Sequence, residues 1–456
     1  MTKYDALIIG FGKGGKTLAG ALAGQGKKVA VVEKSDKMFG GTCINVGCIP
    51  TKSLVRSARL SRLAGGVFAE KATRYRAAIE EKRRLTTMLR GKNYDKLNLG
   101  GVTVIVGEAS FTGPKQVSVK TKDGAQELSA DQVFINTGAE TVIPPISGVQ
   151  GNPFVCTSES IMELEELPRR LVVVGGGYIG LEFASMYANF GSQVTVLEGL
   201  DVFVPREDRD VADEIKKVLE GSGIAIHLGA KVESIEQENG HAVVACVIDG
   251  RPERVEADAV LLAIGRKPNT AALNCAAAGI ELTPRGAVKT DEYLRASAPD
   301  VWAMGDVVGG LQFTYVSLDD YRIVWSQLNG RGTPRTLATR KNVPYSVFIE
   351  PPFSRVGLGE KEAAEAGFEI KIAKIPAAAV PKAQVLKEPR GFLKAIVDAK
   401  TGKILGASIF CEESYEVINT IKLAMDLGAD YQVLRDMVYT HPTMSEALND
   451  LFAVVK

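Results

Sequence analysis

The sequence predicts an α/β protein, and three observations carry that reading. A strand–glycine turn–helix–strand unit occurs twice, at Tyr4–Glu33 and at Leu171–Glu198. From about Val343 the pattern changes: strands such as FLKAIVDA and KILGASIF alternate with helical stretches, and no glycine fingerprint recurs. A chain of 456 residues has room for roughly two to four domains with their own cores.

The first unit reads as a strand over Ala6–Ile9, a glycine turn, a helix and a second strand over Val29–Val32. Gly10, Gly12 and Gly15 fit G-x-G-x-x-G, the fingerprint of a Rossmann-like dinucleotide-binding domain. The turn needs Gly10, close approach of a pyrophosphate needs Gly12, and helix–strand packing needs Gly15. The helix N-terminus then offers N–H groups to phosphate. Glu33 ends the second strand, where a carboxylate can accept from ribose hydroxyls. The second unit repeats this with Gly175, Gly177, Gly180 and Glu198 at the same spacing. One such fingerprint is a weak signal, and two in the same frame are strong. Two dinucleotide sites in one chain imply electron transfer between cofactors, usually FAD and a nicotinamide. Glu198 repels a 2′-phosphate and no arginine follows at once, so NADH is expected over NADPH.

Charged helical sequence follows the first unit: SLVRSARLSRLAGGVF, then AAIEEKRRLTTMLRGKNYDKL with a face expected to be solvated. Short strands come next, VTVIVGEASF and QVSVKT, separated by Gly-Pro and Asp-Gly turns. PPISGVQGNP reads as a linker and GRGTPRTLATRKN as a loop. The net charge of +1 gives no reason to expect nucleic acid or an anionic membrane as partner. No apolar run suits a membrane span, and MTKYDALIIG lacks the features of a signal peptide, so a cytoplasmic protein is expected.

Cys43 and Cys48 lie in GGTCINVGCIPTK. Thiols are kept reduced in the cytoplasm, which argues against a structural staple. C-x4-C lacks the usual short zinc loop and has no second ligand pair. A disulfide accepts both electrons of a hydride by opening to a dithiol, which suits a chain with two dinucleotide sites. Histidine is scarce: His227 reads as a strand residue, His241 as exposed after the Asn239-Gly240 turn, and His441 as a candidate acid–base that Glu446 can orient. Cys156, Cys246, Cys275 and Cys411 are scattered and expected to be buried.

The first fingerprint, GGTCINVGCIPTK, INTGAE, GGGYIGLEF, AIGRKPN, WAMGDV and HPTMSE occur in an order that resembles the pyridine nucleotide-disulfide oxidoreductases. That family includes glutathione reductase, dihydrolipoamide dehydrogenase and mercuric reductase. The resemblance covers the whole chain. It implies an FAD domain (1–145 and 269–340) split by an NAD(P)H domain (146–268), then an α+β dimerisation domain (341–456). FAD would be held by Gly10, Gly12, Gly15, Glu33, Gly138 and Asp306, and the nicotinamide dinucleotide by Gly175, Gly177, Gly180 and Glu198, with Tyr178 over the nicotinamide pocket. Lys52 and Glu182 would form an ion pair beside the flavin, Cys48 would face the flavin, and Cys43 the substrate. His441 would come from the other subunit of a homodimer. A narrower likeness, in IIGFGKGGKTLA, GGLQFTYVSLDDYRIV and KNVPYSVF, is to bacterial members tied to hypochlorous acid defence and Cu(II) reduction. It implies copper as acceptor, with Cys43 and Cys48 as candidate copper ligands. No C-terminal cysteine pair of the mercuric or thioredoxin reductase kind is present, and Phe313–Tyr321 departs from the lipoamide and glutathione enzymes. A dihydrolipoamide dehydrogenase-like enzyme and a redox-sensing flavoprotein with poor turnover are the alternatives.

Overall fold

The computed structural model describes residues 1–330 and 332–456; Arg331, in the loop GRGTPRTLATRKN, lies outside the described residues. Five sheets organise the described residues. In the first, Thr2–Ile9 is flanked in parallel by Val29–Glu33 and Gly124–Ile135. Val29–Glu33, Ala6–Ile9 and Val133–Ile135 are buried on both faces, as their runs of Val, Ile and Ala require. Both nucleotide-unit strands run further than the apolar runs alone suggest, because edge residues such as Thr2 and Lys3 still pair with Leu128 and Ser129. VTVIVGEASF forms two strands, Thr103–Val106 and Glu108–Gly113, broken at Gly107. The chain leaves this sheet and returns to it at Val301–Ala303, which pairs with the end of Gly124–Ile135.

The second sheet is five parallel strands centred on Arg170–Val174. A three-stranded antiparallel sheet, Lys231–Ala257, stands beside it. The third large sheet is five antiparallel strands from Tyr345 to Phe410, with Ser414–Asp426 and Ala447–Ala453 packed on it. Its strand Phe392–Asp398 is buried throughout.

Two helices join these bodies. Cys48–Ala64 packs against Tyr178–Phe190 of the second unit. At its far end, Arg59 and Arg62 form ion pairs with Glu412 and Glu350 of the third sheet region. The second helix, Phe68–Leu99, carries the charged face expected to be solvated, yet its Lys82 side chain is 2 % exposed. The ammonium reaches the Met162 carbonyl at 2.8 Å and pairs with Glu163, so its charge is matched where the helix meets the second domain. His241 is likewise not exposed: it opens the strand His241–Ile248, half-buried and near Glu256. His227 ends the strand Ile224–His227. Cys156, Cys246, Cys275 and Cys411 are buried, as expected of small apolar side chains.

Candidate active site

One cavity of about 2150 Å³ runs between the sheets and is lined by both glycine turns, Cys43, Cys48 and Lys52. At its first end, Gly10 has φ +100°, and a Cβ there would sit 2.3 Å from the Asn136 carbonyl oxygen. A Cβ on Gly12 would meet the Asn136 side chain at 2.4 Å. The turn is therefore glycine because another strand end crosses it, as well as because a ligand must approach. Asn136 does two jobs: its Oδ1 accepts from the Gly15 N–H at 2.9 Å, and its Nδ2 donates to the Met304 carbonyl at 2.6 Å. Ser317 Oγ accepts from the Gly14 N–H at 3.1 Å. Sequence reasoning singled out neither residue; Asn136 does sit inside INTGAE, next to Gly138.

Glu33 is buried at the strand end and accepts from the Phe11 N–H at 3.0 Å. Burial raises its carboxyl, and backbone N–H groups oppose that shift. Glu198 repeats the arrangement, accepting from Gly176 N–H at 2.5 Å and from Leu200 N–H at 2.8 Å. Both acids thus brace the glycine turns in addition to facing the cavity. At the second turn a Cβ on Gly177 would meet nothing within 4 Å, so that backbone is bare toward the cavity. Gly177 caps the helix Tyr178–Phe190 without a side-chain cap. Gly138 has φ +73° and lines the cavity, as does Asp306, whose carboxyl is raised to about 6 by burial against the opposing pull of Arg266. These features fit two dinucleotides: bare glycine backbone at two helix starts, an acid at each strand end, and one connected space of sufficient size.

Between the two turns lies the sulfur pair. Cys48 is the first residue of the helix Cys48–Ala64, where the helix dipole favours a negative charge. Its thiol is lowered to about 6, first by a hydrogen bond with Cys43 and then by Thr314 and Lys52, against the cost of burial. Thr314 Oγ1 lies 3.6 Å from the Cys48 sulfur. The Cys43 thiol is pushed up by that same bond to Cys48 and by burial, so Cys48 holds the charge and Cys43 the proton. One helical turn after Cys48, the Lys52 ammonium pairs with Glu182 at 2.7 Å and lies 4.5 Å over the Phe348 ring. The other Glu182 oxygen accepts from the Phe348 N–H at 2.7 Å.

His441 stands outside this cavity in the same chain. Its side chain is 70 % exposed, and its Nδ1 lies 2.8 Å from Glu446. Glu446 also accepts from the Thr443 N–H at 3.1 Å, and its carboxyl is lowered, chiefly by the bond to His441. Tyr315 donates to the Pro344 carbonyl at 2.6 Å and stacks on Phe313. Among the described residues, the acid cluster at metal-ligand spacing is Asp208, Asp210 and Glu360, and the Lys394 ammonium already bridges all three.

The sequence profile of the pyridine nucleotide-disulphide oxidoreductases matches residues 4–320, and that of their dimerisation domain matches residues 343–452. The chain belongs to this family. Among family members, it is 49% identical to the probable pyridine nucleotide-disulfide oxidoreductase RclA of Escherichia coli, over 100% of both chains. It is 35% identical to a mercuric reductase of Staphylococcus aureus, over 98% of this chain and 81% of the other. A dihydrolipoyl dehydrogenase of Mycobacterium tuberculosis is 34% identical over 99% of this chain and 98% of its own. A solved structure described as a Cu(II) complex of the HOCl-induced flavoprotein disulfide reductase RclA from E. coli superposes with a TM-score of 0.94 at 48% identity, covering all of both chains. The family is one of flavin-dependent oxidoreductases that use a pyridine nucleotide, and the third sheet region is its dimerisation domain. No helix among the described residues is long and apolar enough to cross a membrane.

Proposed function

We propose that this protein is a cytoplasmic NADH-dependent flavoprotein whose Cys43–Cys48 pair reduces Cu(II) or another thiophilic oxidant, and that it contributes to resistance to hypochlorous acid. The observation that carries the reading is the placement of Cys48 as a thiolate at a helix start, next to the Cys43 thiol, between two dinucleotide cradles in one cavity. The likeness to a relative crystallised as a Cu(II) complex and described as HOCl-induced supports copper and chlorine stress as the setting.

FAD would be held by Gly10, Gly12, Gly15, Glu33, Gly138 and Asp306, and NADH by Gly175, Gly177, Gly180 and Glu198. A bound flavin supplies a two-electron relay from the nicotinamide to the sulfur pair. Lys52, fixed by Glu182, holds a positive charge beside the Cys48 thiolate. Cys43 is the interchange thiol, and Cys48 closes the disulfide behind it. Two Cu(II) become two Cu(I) as the Cys43 thiol and the Cys48 thiolate become one disulfide and release one proton; soft thiolates suit the Cu(I) formed. In a homodimer, His441 of one subunit would serve Cys43 of the other as proton acceptor, with Glu446 holding its ring. The Glu198 carboxylate favours NADH over NADPH by repelling a 2′-phosphate.

The test is NADH consumption by the purified holoenzyme with Cu(II), glutathione disulfide, Hg(II) and O2 as separate acceptors, and NADH formation with dihydrolipoamide and NAD⁺. Copper-dependent turnover that is lost in Cys43→Ser supports the reading. Turnover that survives Cys43→Ser removes the dithiol route. Fast turnover with dihydrolipoamide makes the protein a lipoamide enzyme, and slow turnover with every partner makes it a sensor.

A further inference from the structure

The stretch GKGGKT carries a lysine that the first cradle does not account for. Lys16 lies in the first turn of the helix Lys13–Ala23, half-buried. Its ammonium donates to Asn93 Oδ1 at 2.6 Å and to the Gly40 carbonyl at 3.3 Å. Asn93 belongs to the long helix Phe68–Leu99, and its Nδ2 donates to the Leu89 carbonyl at 2.7 Å, which turns its Oδ1 to Lys16.

Gly40 opens the turn that carries Cys43. Three carbonyls in a row lead into that turn, and a side chain meets each of them. Asn45 Nδ2 donates to the Phe39 carbonyl at 3.0 Å and to the Gly41 carbonyl at 2.9 Å, and Lys16 takes Gly40 between them. Asn45 Oδ1 accepts from Arg90 Nε at 2.8 Å, so this second brace also ends on the helix Phe68–Leu99. Gly41 has φ +80°, and a Cβ there would meet Gly12 Cα at 2.7 Å, so the turn is pressed onto the first cradle. Cys43 follows Gly40 by three residues, in the short helix Thr42–Asn45. The Lys16 charge is felt at that sulfur. Burial and then Lys13 push the ammonium down to about 8, Cys43 opposes the shift, and Lys96 adds to it. Lys16 is therefore still charged at pH 7, and it opposes the rise of the Cys43 thiol.

We propose that Lys16 is a positioning residue for the sulfur pair: it seats the Cys43 turn through the Gly40 carbonyl and places a second cation by the pair, so that the reduced pair is favoured over the disulfide. The proposal rests on the reading of Cys43 and Cys48 as a redox pair. Lys52 is the cation on the Cys48 side, and Glu182 neutralises part of its charge. Among the described residues Lys16 forms no ion pair; its partners are an amide oxygen and a carbonyl, so its charge is not cancelled where it sits. Opening the disulfide with two electrons and one proton leaves one thiolate and one thiol, and a negative charge appears on the pair. A cation in a partly buried place stabilises that charge and does nothing for the neutral disulfide.

The experiment equilibrates the oxygen-free, flavin-loaded holoenzyme at pH 7 with mixtures of oxidised and reduced dithiothreitol. Thiols are then trapped by alkylation, and the Cys43–Cys48 disulfide is counted by peptide mass spectrometry. Lys16→Gln keeps an amide donor for the Gly40 carbonyl and removes the charge. Its equilibrium constant for reduction should fall about three- to tenfold, a midpoint lower by about 14–30 mV. Lys16→Arg keeps the charge and should stay within about twofold of the wild type. A Lys16→Gln constant within about twofold of the wild type, at full flavin content, overturns the proposal, as does a Lys16→Arg constant that falls as far as that of Lys16→Gln. If Lys16→Gln fails to fold or to load flavin, Asn93→Ala carries the test, because it unseats the ammonium without removing it. Its constant should fall at least about twofold, and an unchanged constant overturns the proposal. A wild-type protein that forms no Cys43–Cys48 disulfide in any mixture sinks the redox-pair reading itself, an outcome distinct from a wild-type pair that cycles and ignores Lys16.

Discussion

The charge on Cys48 has a checkable origin. Thr314→Val keeps the shape of the side chain and removes the hydroxyl 3.6 Å from the sulfur. A hydrogen bond to a charged group is worth about 1.5–3 kcal/mol. The sulfur opens on the cavity and the contact is long, so the low end applies, about 1.4 kcal/mol or one pKa unit. The thiol then moves up from about 6 to near 7. Near pH 6.5 the thiolate fraction falls from about three quarters to about one quarter, and above pH 9 the two proteins are alike. The assay is iodoacetamide alkylation of the reduced protein, with Cys48 followed by peptide mass spectrometry across pH. The expected result is alkylation about threefold slower near pH 6.5 and equal at high pH. An unchanged profile in Thr314→Val, or a wild-type midpoint near that of an ordinary thiol, refutes the reasoning.

Two further outcomes follow from the same geometry. Gly10→Ala places a Cβ 2.3 Å from the Asn136 carbonyl at φ +100°, so the protein should keep its helical circular dichroism yet purify with less than about a tenth of its FAD; full flavin absorbance would contradict this. Glu446→Gln weakens the 2.8 Å contact that orients the His441 ring, and turnover should fall about tenfold with NAD⁺ affinity unchanged; unchanged turnover would remove His441 from proton transfer.

The parts of the site legible in the sequence are those where one residue type has no substitute. Gly10 and Gly175 have positive φ and touch backbone from another strand, so only glycine fits and the fingerprint shows. Cys43 and Cys48 are legible because their chemistry is rare. Asn136, Thr314 and Lys16 carry no such mark: each acts through a partner remote in sequence, as Asn136 does on Gly15 and Lys16 on Gly40. The burial of Lys82 is not legible in its helix for the related reason that the helix's own sequence does not show a second domain arriving at Glu163. His241 follows a turn, yet the strand it opens pairs on both sides and half-buries it.

The helix that begins at Cys48 is 17 residues long, a rod of about 25 Å. Its sulfur end lies among the nucleotide cradles, while its other end is bolted by Arg59 and Arg62 to Glu412 and Glu350. In chain order the thiol belongs to the first domain, but mechanically its address is set from the last. Two chimeras with identical cysteine loops and different C-terminal segments are therefore different redox proteins, since the graft exchanges the anchor on which the rod is levelled.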